Sequence, residues 1–471
     1  MVFSSHLFVY YFLPAALAGY YALPQRARHL WLSLASYGFY GWANPAFMGL
    51  MLLSTAIDFV CGRRLGALPR DDEGRRRLWL GISLASNLSL LGFFKYFNFA
   101  VDSYVALLAA VGLEHWQPEL GLRVALPLGI SFYTFQSMSY TFDIYRGRTR
   151  PLDNVVDFAC YVSLFPQLVA GPIIRFSEVA DQLRGRTHTL QKFARGVAFF
   201  SLGMAKKVLL ANPCGFVADA AFEAGALRSL DAWTGVLAYA FQIYFDFSGY
   251  SDMAIGLGLM LGFVFPKNFN SPYQAESLTD FWRRWHISLS TWLRDYLYLP
   301  LGGSRKGPRR TYVNLAVVML LGGLWHGAAW NFVVWGGLHG VWLAAERALG
   351  KRSPYGGLPR PVRVALTFLG VLVTWVFFRA PDLPSAGRYL AAMAGVGELP
   401  PAAALVGGIV HTPYSLLCLA LAAVVTWACP QTWDWTRRLT WPRGLTALGL
   451  LGLALLAMAT QGYNPFIYFI F

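Results

Sequence analysis

Long apolar runs separated by short polar loops repeat along almost the whole chain. A helix needs about 20 mainly apolar residues to cross the hydrocarbon core of a bilayer. Since a helix satisfies its own backbone hydrogen bonds in lipid, the pattern predicts an all-α polytopic membrane protein with roughly ten to twelve crossings, some short or broken. The runs fall at about 7–23, 30–60 (two runs), 78–99, 122–143, 154–173, 194–212, 232–264 (two runs), 311–345, 363–379, 412–428 and 444–461.

The first apolar run begins almost at Met1. It has no basic segment before it, and it ends at Pro24 without the small residues of a cleavage site. We therefore expect a first membrane span here rather than a cleaved signal peptide.

Composition agrees with this pattern and narrows the function classes. Of the 471 residues, 56% are hydrophobic and only 13% are charged, against roughly 25% charged in a soluble domain. The net charge of +15 would suggest nucleic-acid binding in a soluble protein. Here the basic residues cluster in short loops, as the positive-inside rule describes, so we expect cytoplasmic loops and no nucleic-acid partner. These loops span residues 63–77, 146–150, 184–195, 305–310 and 347–363.

The chain contains no internal repeat and no long aqueous insertion, which predicts one membrane domain over residues 1–471. Its five cysteines stand singly, without the paired spacing of a disulfide framework or a zinc knuckle. Residues 280–295 are too polar to cross lipid alone. We expect a helix there that lies at the interface or between spans, with Trp282, Trp285 and Trp292 as interfacial rings.

Residues 311–345 have basic clusters at both ends, which implies that the chain enters the membrane and returns within 35 residues. Each limb would then have roughly 15–17 residues and a length of about 24 Å, which is short of a full crossing. The turn would lie deep in the membrane, between Gly322 and Asn331. Irregular backbone at that depth needs surrounding protein or a water-filled cavity, so we expect a cavity that reaches His326.

His326, within Leu324–Ala328, is the first candidate for chemistry. Ionisable residues inside a membrane are costly and often functional. An imidazole, with an ordinary pKa of about 6.5, can take the proton from a hydroxyl that attacks an acyl carbonyl. A histidine that only links two helices by a hydrogen bond fits the same pattern. His286 could orient His326, bind a substrate oxygen or anchor its polar helix. His339 could face His326, but the spacing of the three histidines does not support a metal site.

A second polar group lies in the apolar run 232–264, around Gly249. It comprises Asp246, Ser248, Ser251 and Asp252. Paired carboxylates in a broken helix are typical of ion-coupled transporters. The two aspartates fall on different helix faces unless Gly249 breaks the helix. Pairing with Arg or Lys from other helices explains them equally well.

Several long motifs occur in a fixed order, and together they resemble the membrane-bound O-acyltransferase family, in particular its alginate-type branch. The resemblance covers most of the chain, and several ordered motifs are far more specific than one short pattern. The motifs are Pro127–Phe132 (PLGISF), Phe165–Pro172 (FPQLVAGP), Tyr244–Asp252 (YFDFSGYSD), Lys267–Tyr273 (KNFNSPY), Asp280–Ser288 (DFWRRWHIS) and Gly323–Ala328 (GLWHGA).

The resemblance implies a ring of helices with short re-entrant and interfacial helices around a central tunnel, and a catalytic core over about 122–345. His326 matches the family's essential histidine, and His286 matches its second signature polar position. No metal and no bound cofactor are expected. The remaining candidates would line the substrate tunnel: Asp246, Ser248, Asp280, Trp325 and Asn331.

The resemblance also implies an activity. Members of the family move an acyl group from a cytoplasmic donor to an acceptor at or beyond the far face of the membrane. The chain would be a multi-pass acyltransferase of the bacterial inner membrane that O-acetylates an exported polysaccharide, namely alginate. Acetyl-CoA would be the donor, although no nucleotide-binding loop is visible, and extracytoplasmic acetyltransferase proteins would be partners.

In this activity His326 would be the general base or a transient acyl carrier, and His286 would position or polarise a substrate. Alternatives with the same fold are acetylation of cellulose or peptidoglycan, or D-alanyl transfer to teichoic acid. A transporter without acyl chemistry is a further alternative, which rests on Asp246 and Asp252.

Overall fold

The computed structural model describes residues 1–42, 44–117, 121–350, 353–396, 401 and 403–467. Lys351 and Arg352, in the last basic loop, lie outside the described residues. Every regular element in the described ranges is helical, which confirms the all-α class. The chain divides into two compact units, residues 1 and 7–187, and residues 2–6 and 188–471. The single domain over 1–471, with its core at about 122–345, stays a prediction.

Eight α-helices make up most of the first unit. Three short segments differ from α-helix geometry: a π-helical stretch at Leu7–Phe12 and 3-10 turns at Gln25–Ala27 and Glu114–Trp116. The α-helices are α1 (Leu13–Ala22), α2 (Arg28–Gly41), α3 (Ala46–Ala67), α4 (Glu73–Ala110), α5 (Ile130–Tyr145), α6 (Val155–Ser163), α7 (Phe165–Leu168) and α8 (Phe176–Arg184).

The second unit holds thirteen further α-helices among its described residues. Two π-helical stretches, Lys206–Ala211 and Arg294–Tyr298, and a 3-10 turn at Pro272–Gln274 join some of them. The α-helices are α9 (Leu190–Ala205), α10 (Asn212–Phe222), α11 (Ser229–Met260), α12 (Leu278–Arg284), α13 (Ile287–Leu293), α14 (Gly307–His326), α15 (Trp330–Ala348), α16 (Arg360–Arg379), α17 (Leu383–Met393), α18 (Ala403–Val410), α19 (Pro413–Trp427), α20 (Thr432–Trp435) and α21 (Trp441–Thr460).

Four described helices are long and apolar enough to cross a membrane: α3, α4, α16 and α21. The pair α18 and α19, bent by 61°, would be a fifth span. This number is smaller than the ten to twelve crossings that the apolar runs predict, because several of those runs form short or interrupted helices. The run at 154–173, for example, forms only the short helices α6 and α7. The total number of crossings stays a prediction.

The run 232–264, predicted as two spans, is instead the single helix α11 of 32 residues. Gly249 does not break it, because the glycine serves helix packing. A Cβ atom at Gly249 would lie 2.7 Å from the carbonyl oxygen of Gly203 in α9, and one at Gly256 would lie 2.5 Å from that of Gly196. The two glycine pairs therefore let α9 and α11 approach backbone to backbone, as small residues do in membrane helices.

The polar stretch 280–295, predicted as one helix, is broken into α12 and α13 at His286. The residue has φ +42°, a left-handed conformation that is uncommon for any residue except glycine. Trp285 and Trp292 are buried rather than interfacial. Trp285 packs on Phe281 and Trp375, at ring-centroid distances of 5.5 and 5.2 Å. These ring contacts of Trp285 thus hold the break between the two short helices inside the second unit.

Helices α14 and α15 form the predicted hairpin, and its turn is at residues 327–329. The limbs have 20 and 19 residues, longer than the roughly 15–17 predicted, because both helices extend into the basic clusters. A Cβ atom at Gly323 would collide with the carbonyl oxygen of Phe332, and one at Gly336 with that of Met319. The two limbs are therefore in backbone contact just before the turn.

We expect Gly336→Ala to destabilise this hairpin. The added methyl group would overlap the Met319 carbonyl, and relieving such overpacking typically costs about 1 to 3 kcal/mol. Gly337→Ala is the matched control, because its Cβ atom would meet only a Leu320 methyl group at 3.8 Å. The measurement is the thermal unfolding temperature of each purified variant in detergent. Equal unfolding temperatures for the two variants would contradict the close packing.

Candidate active site

His326 is the last residue of α14 and lies in a pocket of aromatic rings. The next residue, Gly327, is extended and ends the helix. The imidazole ring contacts Trp325, Trp335 and Phe378, at centroid distances of 5.0, 5.3 and 5.1 Å. The side chain is 6% exposed. The hairpin turn thus places an imidazole in a largely apolar environment, where electrostatic interactions with a bound substrate are strong.

The left-handed residue His286 is fully buried, and the side chain of Asn268 holds it. The Nδ1 atom of His286 lies 3.2 Å from the Asn268 Oδ1 atom. The same oxygen accepts hydrogen bonds from the backbone N–H and the hydroxyl of Ser288, at 3.2 and 2.9 Å. The backbone carbonyl of Asn268 accepts a further bond from the Ile287 N–H at 2.9 Å. Asn268 therefore fixes both the backbone and the ring at the break between α12 and α13.

The indole ring of Trp325 connects the two histidines. Its centroid lies 5.9 Å from that of His286 and 5.0 Å from that of His326. Burial lowers the pKa of His286 well below its ordinary value, and charge on His326 lowers that pKa further. Three residues selected from the sequence, His326, His286 and Trp325, therefore meet at one place, and His286 is neutral there.

Ser248 lies on α11 and lines a small polar cavity. The Ser248 hydroxyl has no hydrogen-bond partner among the described residues. Asn268 contributes to the same cavity wall, so the cavity is adjacent to the network that holds His286. The cavity is lined by Lys206, Ser248, Ser251, Asp252, Ile255, Lys267, Asn268, Phe269, Gln431, Thr432 and Trp433.

Asp246, for which the place in a tunnel stays a prediction, forms a buried ion pair. Its Oδ1 atom lies 2.8 Å from the Lys207 Nζ atom, and its Oδ2 atom accepts a hydrogen bond from the Ile467 N–H at 2.8 Å. Asp252 pairs with Lys206 at 2.7 Å. Both aspartates lie on the unbroken helix α11, and each is paired with a lysine of the π-helical stretch Lys206–Ala211. The transporter alternative rested on a broken helix and on carboxylates paired with each other, and neither is found among the described residues.

The side chains of Asp280 and Asn331 both interact with other residues of the protein. Asp280 forms an ion pair with Arg284, one turn along α12, at 2.9 Å. The Asn331 amide donates to the carbonyl oxygens of Phe377 and Ala380, at 3.1 and 2.8 Å. Since the neighbouring Phe378 contacts His326, Asn331 fixes the end of α16 beside the catalytic candidate. That either residue lines a tunnel stays a prediction.

His339 lies on the return limb, where both of its ring nitrogens are engaged. The Trp282 Nε1–H donates to Nδ1 at 3.1 Å, and Nε2 lies 3.0 Å from the Thr374 hydroxyl. The residue therefore links α12, α15 and α16. Within the described ranges, no group of three or more His, Cys, Asp or Glu side chains has the arrangement of a metal site.

Asn268 and Ser288 are functional candidates that the residue-by-residue sequence arguments missed. Both lie within motifs that resemble the family, KNFNSPY and DFWRRWHIS. An asparagine between a lysine and a phenylalanine carries no chemical signal of its own. Its role becomes visible only when the fold brings it to the backbone of residues 286–288.

Comparison with known proteins gives consistent results. The model of the membrane-bound O-acyltransferase family matches residues 153–378. A protein of Azotobacter vinelandii named probable alginate O-acetylase AlgI is 51% identical over 84% of this chain and 79% of its own length. Its namesake in Pseudomonas putida is 45% identical over the full length of both chains. The peptidoglycan O-acetyltransferase of Helicobacter pylori is 38% identical over 84% of this chain and 80% of its own length.

Proposed function

Because the chain belongs to the membrane-bound O-acyltransferase family, we propose that it moves an acetyl group across the membrane for the O-acetylation of alginate. The chain is a membrane acyltransferase, and its acceptor is a polysaccharide. The observation that carries the proposal is the meeting of His326 and His286 at Trp325. Relatives named alginate O-acetylases, at 45–51% identity, support alginate over the other polymers.

In the proposed reaction, a hydroxyl oxygen of the acceptor attacks the carbonyl carbon of an acetyl thioester, with acetyl-CoA as the donor. His326 takes the hydroxyl proton as the new C–O bond forms. The C–S bond breaks, and the proton passes from His326 to the departing thiolate, so that the enzyme returns to its initial state. A two-step route, in which the imidazole first carries the acetyl group, uses the same residue.

The location and the partners are part of the proposal. We place the protein in the bacterial inner membrane, with the donor on the cytoplasmic side. Extracytoplasmic acetyltransferase proteins would then deliver the acetyl group to the exported polymer. The candidate tunnel residues Ser248 and Trp325 are supported by their positions, at the polar cavity and between the two histidines.

The test is restoration of polymer acetylation. In an alginate-producing strain that lacks its own gene for this acyltransferase, the wild-type chain should restore acetyl esters on the exported alginate, measured by NMR. In parallel, the purified protein should release CoA from labelled acetyl-CoA. Unacetylated alginate together with newly acetylated peptidoglycan would instead support the second candidate function, which the Helicobacter pylori relative suggests. Absence of both modifications from well-expressed protein would refute the proposal.

A further inference from the structure

The side-chain amide of Asn268 can adopt only one orientation. Its Oδ1 atom faces the backbone N–H of Ser288 at 3.2 Å. Since a backbone N–H can only donate, the atom opposite it must be the amide oxygen. The Nδ2 atom donates to the Ser251 hydroxyl at 2.9 Å, which fixes the other side of the amide.

This orientation determines where His286 carries its proton. The Nδ1 atom of His286 lies 3.2 Å from the same amide oxygen, an acceptor. The Ser288 hydroxyl, 3.4 Å from Nδ1, donates its proton to that oxygen at 2.9 Å, so Nδ1 is the donor. Burial keeps the ring neutral, and a neutral imidazole has only one N–H. The Nε2 atom therefore holds a lone pair. It is buried, and it has no hydrogen-bond partner among the residues that the structure describes.

A buried lone pair of this kind is costly unless a ligand satisfies it. It can accept a hydrogen bond, but it cannot donate one. The carbonyl oxygen of an acyl thioester carries no hydrogen, so it cannot be the partner of Nε2. A hydroxyl group of the acceptor or an amide N–H of the donor can be. The backbone strain at His286, with φ +42°, also marks a position that the surrounding structure holds in place.

We propose that Asn268 is a positioning residue, which holds His286 with its proton on Nδ1 so that Nε2 accepts a hydrogen bond from an O–H or N–H group of a bound substrate. This inference rests on the proposed function of the site. It separates the two roles that the sequence left open for His286, because a residue that only accepts positions a substrate and does not polarise its carbonyl group. His326 keeps the role of general base.

The charged groups around this network are few and mostly paired. His326 is the titratable group whose charge acts on His286. On the cavity side of Asn268, Lys206 is paired with Asp252, and Lys267 is paired with Asp434 at 3.2 Å. On the α12 side, Arg284 is paired with Asp280. A new charge at position 268 would therefore act on His286 directly.

The test uses Asn268→Asp. The carboxylate still accepts from Ser288 and from Nδ1–H, but its negative charge raises the pKa of His286. Nε2 then becomes protonated at a higher pH and can no longer accept. The acidic limb of the pH–kcat/KM profile should therefore move to higher pH, with activity recovering on the alkaline side. Asn270→Asp is the control, since the Asn270 side chain bonds to Lys267 instead, and its acidic limb should not move.

Two outcomes would overturn the inference. An activity reduced equally at every pH, with an unchanged acidic limb, would mean that Asn268 only supports the loop. An unchanged acidic limb together with an alkaline limb that moves to higher pH would mean that His286 must be protonated and acts as a donor. The variant's effect also identifies the ligand group. A defect already present when water replaces the acceptor and acetyl-CoA is hydrolysed assigns the hydrogen bond to the donor. A defect only in transfer assigns it to the acceptor hydroxyl.

A second measurement does not depend on the variant's folding or on catalysis. Nitrogen-15 NMR of the histidine-labelled wild-type protein reports which ring nitrogen carries the proton, and the signal of His286 is identified by its loss in His286→Gln. We expect a protonated Nδ1 and an unprotonated Nε2. The reverse tautomer would overturn the inference even in an active enzyme. If the wild type transfers no acetyl group, the proposed function fails while this measurement still decides the tautomer.

Discussion

The substitution His326→Ala is expected to lower the rate of acetyl transfer by about 100- to 10,000-fold, the usual contribution of a general base. The alanine variant leaves the acceptor hydroxyl without a base inside a pocket formed by Trp325, Trp335 and Phe378. The protein should remain folded, because the pocket walls pack on one another through other contacts. The measurement is the rate of labelled acetyl transfer by purified protein at a matched concentration.

His411→Ala is the control for this loss. His411 belongs to the same unit, where its Nε2 atom lies 3.2 Å from the Thr234 hydroxyl, and it is no part of the proposed site. The control should retain the wild-type rate. Full polymer acetylation by His326→Ala, at equal expression, would show that His326 is not the base.

The same pair of proteins distinguishes the two chemical roles of His326. If the imidazole carries the acetyl group, wild-type protein quenched in acid after incubation with labelled acetyl-CoA should retain the label, and His326→Ala should not. If the imidazole acts only as a base, neither protein should be labelled, although the wild type still transfers acetyl groups. Each result corresponds to a different sequence of bond changes at the same residue.

The position of His326 could be predicted from the sequence because it depends on local information. Basic clusters on both sides of one apolar run imply a return of the chain, and the glycines in that run imply a turn. The structure has the turn at residues 327–329, within the predicted interval. The limb lengths were wrong, because hydropathy marks where apolar residues end and not where a helix ends. α14 and α15 continue into the polar clusters.

The environment of His286 could not be predicted in the same way. It depends on Asn268, Ser251 and Ser288, which lie far apart in the sequence or on different elements. Periodicity describes which face of one helix is apolar, and it carries no information about a loop amide that reaches another segment. The sequence therefore predicted one helix over 280–295, whereas the hydrogen bonds that Asn268 accepts from Ile287 and Ser288 stabilise a break at His286.

Gly249 shows a related ambiguity. Glycine weakens a helix, but it also lets two helices come into backbone contact, and the sequence alone does not distinguish these uses. In α11 the second use applies, so the helix is unbroken and Asp246 faces a lysine. Asp246 therefore has two possible roles, as a residue that lines a substrate tunnel and as the partner of Lys207 in a buried ion pair. A substitution can distinguish them.

The buried pair of Lys207 and Asp246 also holds the C-terminal segment. The side chains are 3% and 1% exposed. The Lys207 ammonium group donates to the carbonyl oxygen of Pro465, and Asp246 accepts from the Ile467 N–H. Each charge therefore has both an ionic partner and a backbone partner, as a buried ion pair needs in order to offset its desolvation.

We expect either single substitution, Lys207→Met or Asp246→Asn, to destabilise the protein by about 3 to 5 kcal/mol, because each leaves one uncompensated buried charge. The double variant should be more stable than either single variant. It contains no charge at this position, and the asparagine oxygen can still accept from the Ile467 N–H. The measurement is the thermal unfolding temperature in detergent, compared across the four proteins of the double-mutant cycle.

Lys206→Met is the matched control, since Lys206 is the adjacent residue and also pairs with an aspartate of α11. That pair is more accessible, with side chains 14% and 13% exposed, so water can compensate part of the lost interaction. Its unfolding temperature should fall less than that of Lys207→Met. A different result would support the tunnel prediction: if Asp246→Asn unfolds at the wild-type temperature but no longer transfers acetyl groups, the carboxylate acts on the substrate. The unfolding temperature and the transfer rate of Asp246→Asn, taken together, therefore decide whether this charge supports the fold or the reaction.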